Sequence, residues 1–216
     1  VLEKLPIELG HALKGQRAGV QNITFYRLLA ARKVPRIGVH SNAFGNMEPI
    51  PTRYTADGDG ASPPIEWYSI PDGAQSLVLI VEDGDSPTPH PLVHAIAVNI
   101  DPDRRSLAED SLVMSDDGLP TDVDLGLNSV LKRGWTPPDP PPGHGEHRYA
   151  FQLFALANAV LLPSGAGRHD VVEAVMQSAI AAGCLIGTYE RPRPISAGES
   201  ANDDAMVARG LTPAIG

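Results

Sequence analysis

Four side chains of proton-exchanging or hydrogen-bonding type stand at the ends of apolar runs. Asp83 closes Ser76–Asp83 (SLVLIVED), and His94 lies near the start of Leu92–Ile100 (LVHAIAVNI). His147 and Tyr149 open His147–Ala157 (HRYAFQLFALA). If these runs are neighbouring strands, Asp83, His94 and His147 meet at one edge of a sheet. The result is a pocket of one carboxylate, two imidazoles and a phenol. Such a set suits phosphate or a carboxylate, because protonated imidazole donates from both nitrogens. A carboxylate beside an anion repels it, so Asp83 is expected to orient an imidazole or to accept from a ligand amine. The plainer reading of each histidine alone is a loop or core residue satisfied by backbone. Convergence from separate segments is what favours a site.

Other chemistries find less support. His144 and His147 are three apart, and His90 lies four before His94. The HExxH spacing that places two zinc ligands on one helical face is absent, and proline stands close to both pairs, so no metal is expected. Ser86 beside Asp85 lacks the GxSxG elbow of a hydrolase. An acid–base enzyme using His94, His147 and Asp83 stays open as an alternative, but no activated Ser or Cys is evident beside the imidazoles. Cys184, the single cysteine, sits in an apolar run where a free thiol is usually a buried hydrophobe. Neither GxGxxG nor a Walker sequence occurs, so no cofactor is expected.

The elements that must position these groups read as mainly β. Proline and glycine number 21 each in 216 residues, which argues for loops and strands rather than a bundle. Ser76–Asp83, Leu92–Ile100 and His147–Ala157 are the best strands, with Ile65-Glu66-Trp67 and Leu185–Arg191 as shorter ones. Alternation puts Tyr149, Phe151, Leu153 and Ala155 on one face, and His94 on one face with Ile96 and Val98. Asp170–Ala182 is free of Gly and Pro and predicts a helix that Gly183 stops. Gly134–Gly145, with five prolines in twelve residues, cannot be helix or central strand. The acidic stretch 101–124 reads as a solvated excursion with little regular structure. Residues 1–36 form a helical arm, 37–191 the body and 192–216 a tail.

The net charge of -9 is unevenly placed: the arm holds seven Lys/Arg against Glu3 and Glu8, giving +5, and the rest of the chain carries -14. An acidic body makes nucleic acid an unsuitable partner. No run is long and apolar enough for stable membrane insertion. Val1–Gly19 lacks the continuous apolar core of a secretory signal, so a cytoplasmic location is expected. In the arm, Leu9, Leu13, Phe25, Leu28 and Leu29 are too apolar to stay wet. They are expected to pack on the body or on a second subunit, with a homodimer as the expected state. An interaction protein working through its arm is a third functional reading.

The motifs themselves resemble the phosphatidylethanolamine-binding proteins, also called Raf kinase inhibitor-like proteins, in their bacterial branch. The family's D-P-D-A-P loop and H-x-x-x-x-N strand stand here as Asp83-Gly84-Asp85-Ser86-Pro87 and His94-Ala95-Ile96-Ala97-Val98-Asn99. Its G-x-H-R-Y-type segment is Gly145-Glu146-His147-Arg148-Tyr149, after Pro140-Pro141-Pro142-Gly143-His144. Tyr54–Gly58, Ser62-Pro63-Pro64, Trp67 and Gly187-Thr188-Tyr189 also match, so the resemblance runs over about residues 37–191. It implies a sandwich of largely antiparallel sheets with a helix near the C-terminus. It implies a non-enzymatic pocket for a small anion, phosphate or phosphorylethanolamine-like, with a regulatory role of kinase-inhibitor type and a protein partner to go with it. Carried over by position, Asp83, His94 and His147 are its polar residues, Tyr149 and Pro87 its wall, and Asp85 part of its first loop. Gly84 departs from the signature, which has proline there.

Overall fold

The computed structural model describes residues 6–114, 122–158, 163 and 165–192. In chain order the elements are α1 (Ile7–Leu13), α2 (Thr24–Ala31), β1 (Gly38–His40), β2 (Glu48–Pro49), β3 (Ile65–Tyr68) and β4 (Ser76–Asp83). There follow β5 (Leu92–Ile100), β6 (Ser106–Leu107), β7 (Asp124–Leu125), β8 (His147–Leu156), α3 (Arg168–Ser178) and β9 (Ala179–Tyr189). One sheet has the order β1-β3-β6, the other β2-β9-β8-β4-β5-β7. All pairings are antiparallel except β2 with β9.

The continuous apolar run of β4 follows from its position. It lies between β5 and β8, and both its faces are covered. On one face Leu77, Leu79 and Val81 join Phe151, Leu153, Ile65, Trp67 and Leu107 in the core between the sheets. On the other, Val78 and Ile80 pack with Ile96 and Phe154 under Phe25, Leu28, Val171 and Val175 of the helices. A strand buried on both faces has no polar side to alternate with.

The helical layer is tied down by two polar side chains of the sheet. Ile23 precedes α2 and offers no side-chain cap, yet the first N–H groups of the helix are satisfied. Thr24 N donates to Glu82 Oε2 at 2.7 Å, and Phe25 N donates to Gln152 Oε1 at 2.7 Å. Glu82, fully buried, is further matched by Arg168 Nε at 2.7 Å, so the carboxylate faces a helix N-terminus and a guanidinium. The sheet therefore caps the arm.

The arm lies along its own body. Phe25 and Leu28 are buried, but Leu9 stays 41% exposed, contrary to expectation. The reason is that α1 docks through Gly10, where a Cβ would collide with the Pro142 carbonyl, and not through its leucine face.

Two element boundaries differ from the sequence expectation. The helix ends at Ser178, and the last strand begins at Ala179 instead of Leu185. Ala179–Ala182 has helical propensity, but ten residues of β9 pair with β8, and that tertiary pairing wins. Gly183 sits mid-strand because its missing Cβ admits the Ile37 carbonyl. The acidic excursion contributes only β6 and β7, with 115–121 outside the described residues, as is the tail from 193 onward.

Candidate functional site

Asp83 is the last residue of β4, and its register partner on β8 is Tyr149. Directly opposed residues share a face, so Asp83, Tyr149 and, two residues earlier, His147 all point between the sheets. His94 reaches the same place by a different device. Val81 pairs with Ala95 and Glu82 with Val93, which leaves His94 as the extra residue of a β-bulge. The bulge turns His94 away from the helical face of Ile96 and Val98 and stands its ring at 5.1 Å, edge-on, from Tyr149. The alternation read from the sequence is thus broken at this residue. Asn99, at φ 55°, lies in a second irregularity of the same strand pair.

These residues line a cavity of about 540 Å³ with Ser86, Pro87, Trp135, Thr136 and Lys132. Trp135 stacks on Phe151 at 6.0 Å and closes one side. Three buried polar atoms on this lining have no partner among the described residues: His94 Nε2, Tyr149 Oη and Trp135 Nε1. A buried polar atom without a partner is costly, by about 1–3 kcal/mol, and three on one lining point to an occupant.

His94 donates through Nδ1 to the Thr136 carbonyl at 2.7 Å. That fixes the tautomer and makes Nε2 an acceptor in the neutral ring. Burial pushes the His94 imidazole below its usual range, against the opposing pull of Asp83. Burial likewise pushes the Tyr149 phenol well up, with Asp83 adding to it, so it stays a neutral hydroxyl.

His147 is placed at the cavity but its nitrogens are already engaged. Nδ1 meets Asp83 Oδ2 at 2.7 Å, and Nε2 meets His144 Nδ1 at 2.6 Å. The expectation that both imidazoles donate to an anion therefore needs correcting: the protein itself consumes both nitrogens of His147. Asp83 Oδ1 in turn accepts from Asp85 N at 2.8 Å, which shapes the turn after β4.

Asp85 does not line the cavity. Its carboxylate lies behind the loop, taking Arg148 Nε and Nη2 at 2.6 Å each, Arg148 N at 3.0 Å and Arg17 Nη1 at 3.0 Å. Burial alone would push this carboxyl up; the Arg148 and Arg17 guanidiniums outweigh it and hold it below its usual range. Pro87 lines the mouth. Trp135, Thr136 and Lys132 were not singled out from the sequence, although a tryptophan at the head of a proline-rich loop is a signal for a wall. Cys184 lies in the helix-covered layer, its thiol pushed up to about 12 by burial. Among the described residues no cluster of His, Cys, Asp or Glu is arranged to hold a metal ion.

Comparison with known proteins places this geometry. Residues 40–190 match the family model described as phosphatidylethanolamine-binding protein. A UPF0098 protein of Aquifex aeolicus is 38% identical over 71% of this chain and 88% of its own length. One from Methanothermobacter thermautotrophicus is 38% identical over 72% of this chain and 99% of its own. The crystal structure of a phosphatidylethanolamine-binding protein homolog from Chlamydia trachomatis superimposes with a TM-score of 0.64 at 34% identity, covering 73% of this chain and 99% of that one. Escherichia coli YbcL, described as a new member of the mammalian family, gives 0.67 at 26% identity, again over 73% and 99%.

Proposed function

The chain belongs to the phosphatidylethanolamine-binding protein family, and on that premise we propose that its cavity binds a small, singly protonated phosphate anion, either inorganic phosphate or a phosphomonoester of headgroup type such as phosphorylethanolamine. The observation that carries this reading is the convergence of His94 Nε2, Tyr149 Oη and Trp135 Nε1, all buried and unpartnered, on one cavity. Trp135 supplies a donor, Tyr149 a hydroxyl and neutral His94 an acceptor. A phosphomonoester monoanion satisfies all three: two oxygens accept, and its P–OH donates to His94. The hydrogen bonds that Asp83 accepts from His147 and from Asp85 N lessen its repulsion of the anion.

Binding is favoured over catalysis. His147 has no nitrogen left to act on a substrate, and the free nitrogen of His94 faces the cavity, with no Ser or Cys hydrogen-bonded to it. Regulation is part of this reading: Pro87, Val130 and Lys132 form the mouth, so an occupant alters the surface that a partner protein meets.

The test is calorimetric titration with inorganic phosphate and with phosphorylethanolamine at pH 6 and pH 8. The complex holds one proton between His94 and the ligand. Affinity is therefore expected to fall as pH rises through the second phosphate pKa, about 6 for a phosphomonoester. His94→Ala is expected to weaken binding about tenfold at pH 6, the equivalent of one charge-assisted hydrogen bond, and to flatten the pH dependence. No measurable heat with either compound at either pH sinks the reading.

A further inference from the structure

His144 lies outside the cavity lining, yet it is fully buried and both its nitrogens are bonded. Nδ1 faces His147 Nε2 at 2.6 Å. Nε2 faces two carbonyls of the arm, Leu13 O at 2.9 Å and Gln16 O at 3.2 Å. Carbonyls only accept, so Nε2 must carry a proton. A polar chain thus runs from Asp83 through His147 and His144 into the N-terminal arm.

Three links need one proton each: Asp83 to His147, His147 to His144, and His144 to the arm. Two neutral imidazoles supply only two. The chain therefore holds one extra proton, on Asp83, His147 or His144. Asp83 Oδ1 accepts the Asp85 N–H at 2.8 Å, which favours the carboxylate. Burial and the neighbouring His147 push the His144 imidazole below its usual range, and Arg17 pushes the same way. The proton falls to His147, which becomes an imidazolium between a carboxylate and a neutral histidine.

We infer that His144 is a positioning residue of the cavity, and that the N-terminal arm sets the protonation of His147 through it. The Leu13 and Gln16 carbonyls hold the Nε2–H tautomer, leaving Nδ1 as the acceptor that keeps the second proton on His147. Asp83 is thereby neutralised where a ligand must approach it. Of the other charges nearby, Asp139 on the cavity lining is paired with Arg191 Nη2 at 2.6 Å. Asp85 is closed by Arg17 and Arg148, and His94 and Tyr149 face the cavity. Of Glu146, the backbone carbonyl takes Arg17 Nη1 at 2.8 Å.

The arm is built onto this corner with care. Ala18 N donates to Ser86 O at 2.9 Å and Gly19 N to Gly84 O at 2.8 Å, while Arg17 reaches the carbonyls of Glu146 and His144. It joins the loop after β4 to the loop before β8, the two that adjoin Asp83 and His147. The arm lies outside the family match of residues 40–190, so this device is an addition to the family domain.

The second half of this inference, the neutral floor for an anion, rests on the proposed ligand. The first half does not, and the experiment separates them. Ring-nitrogen NMR of histidine-labelled, ligand-free protein at pH 7 is expected to show two protonated nitrogens on His147 and an Nε2–H on His144 that exchanges slowly. In His144→Leu, His147 is expected to keep only Nδ1–H. In His144→Gln, whose amide both accepts and donates, the double protonation is expected to return; a purely space-filling role would not distinguish the two. Gly10→Val, which lifts α1 from Pro142, is expected to mix the His144 tautomers and speed exchange of the Nε2–H. Phosphorylethanolamine affinity is expected to fall about tenfold in His144→Leu and to recover in His144→Gln. A singly protonated His147 in the native chain overturns the inference, as does a native pattern retained in both His144→Leu and Gly10→Val. A correct NMR pattern without any ligand binding overturns only the ligand reading.

Discussion

Replacing Asp85 by alanine separates a brace from a ligand contact. Asp85 accepts from Arg148 Nε, Nη2 and N and from Arg17 Nη1, at 2.6–3.0 Å. Each charged hydrogen bond nominally contributes about 1.5–3 kcal/mol. The full sum does not apply, because the Arg17 and Arg148 side chains are 31% and 33% exposed and regain water when the carboxylate goes. Such pairs contribute closer to the ~0–1 kcal/mol of surface ion pairs. The Arg148 N–H, at the start of a central strand, loses its acceptor at about 1–3 kcal/mol. Together the expected loss is about 3 kcal/mol, which lowers the melting temperature by roughly 6–12 °C in a chain of this size. The carboxyl is held below its usual range in the folded state. Its contribution is therefore present above the ordinary aspartate value of about 3.9, and is lost as pH falls through the lowered value. The gap between native and variant melting curves is expected to be constant from pH 5 to 8 and to close only under stronger acid. Phosphorylethanolamine affinity is expected to change by less than about threefold, or ~0.7 kcal/mol. Unchanged melting with lost binding would refute the argument, since it would place Asp85 on the ligand.

Tyr149→Phe removes a buried hydroxyl without a partner among the described residues, so ligand-free protein is expected to unfold at equal or higher stability, by up to about 1–3 kcal/mol, while ligand affinity falls. His94 is depressed by burial, so its neutral form contributes stability that is present above about pH 6.5 and is lost as pH falls through the lowered folded value. His94→Gln is expected to flatten that acid-side decline in melting temperature. At Gly84 a Cβ would lie 2.9 Å from Val20 Cα, and its N–H donates to Arg148 O at 3.0 Å. Gly84→Pro is therefore expected to destabilise by roughly 3 kcal/mol and to raise amide exchange at Ala18 and Gly19.

That glycine shows where sequence reasoning stopped. The departure at Gly84 was visible as a motif mismatch, but its cause is the close approach of the arm, which no local pattern records. The strands that carry the site were legible because β4, β5 and β8 are long and apolar. The convergence of Asp83, His147 and Tyr149 followed from alternation and register alone. The orientation of His94 did not, because one unpaired residue reverses parity and leaves no compositional trace. Asp85 looked like a site residue by its place in the loop, and only its two arginine partners, one of them in the arm, show that it faces the other way. Asp170–Ala182 read as one helix because alanine favours helices; the change to strand at Ala179 is imposed by β8. His144 stands in the sequence as one of two histidines three apart, but its role depends on two arm carbonyls, and backbone carbonyls are anonymous in a sequence.

The bulge at His94 also has an evolutionary reading. Val93 already pairs with Glu82 and Ala95 with Val81, so His94 is surplus to the ladder. Loss of this one codon would leave every neighbouring strand partner where it is. It would remove the only imidazole nitrogen that the cavity offers to an occupant among the described residues. Insertion at the same point is the reverse step, from a plain strand edge to a receptive one. Between this bulge and the one at Asn99, a single-codon change would turn the intervening residues to the wrong face. The ligand-facing residue thus sits at a place where the length of the strand can vary without refolding the sheet.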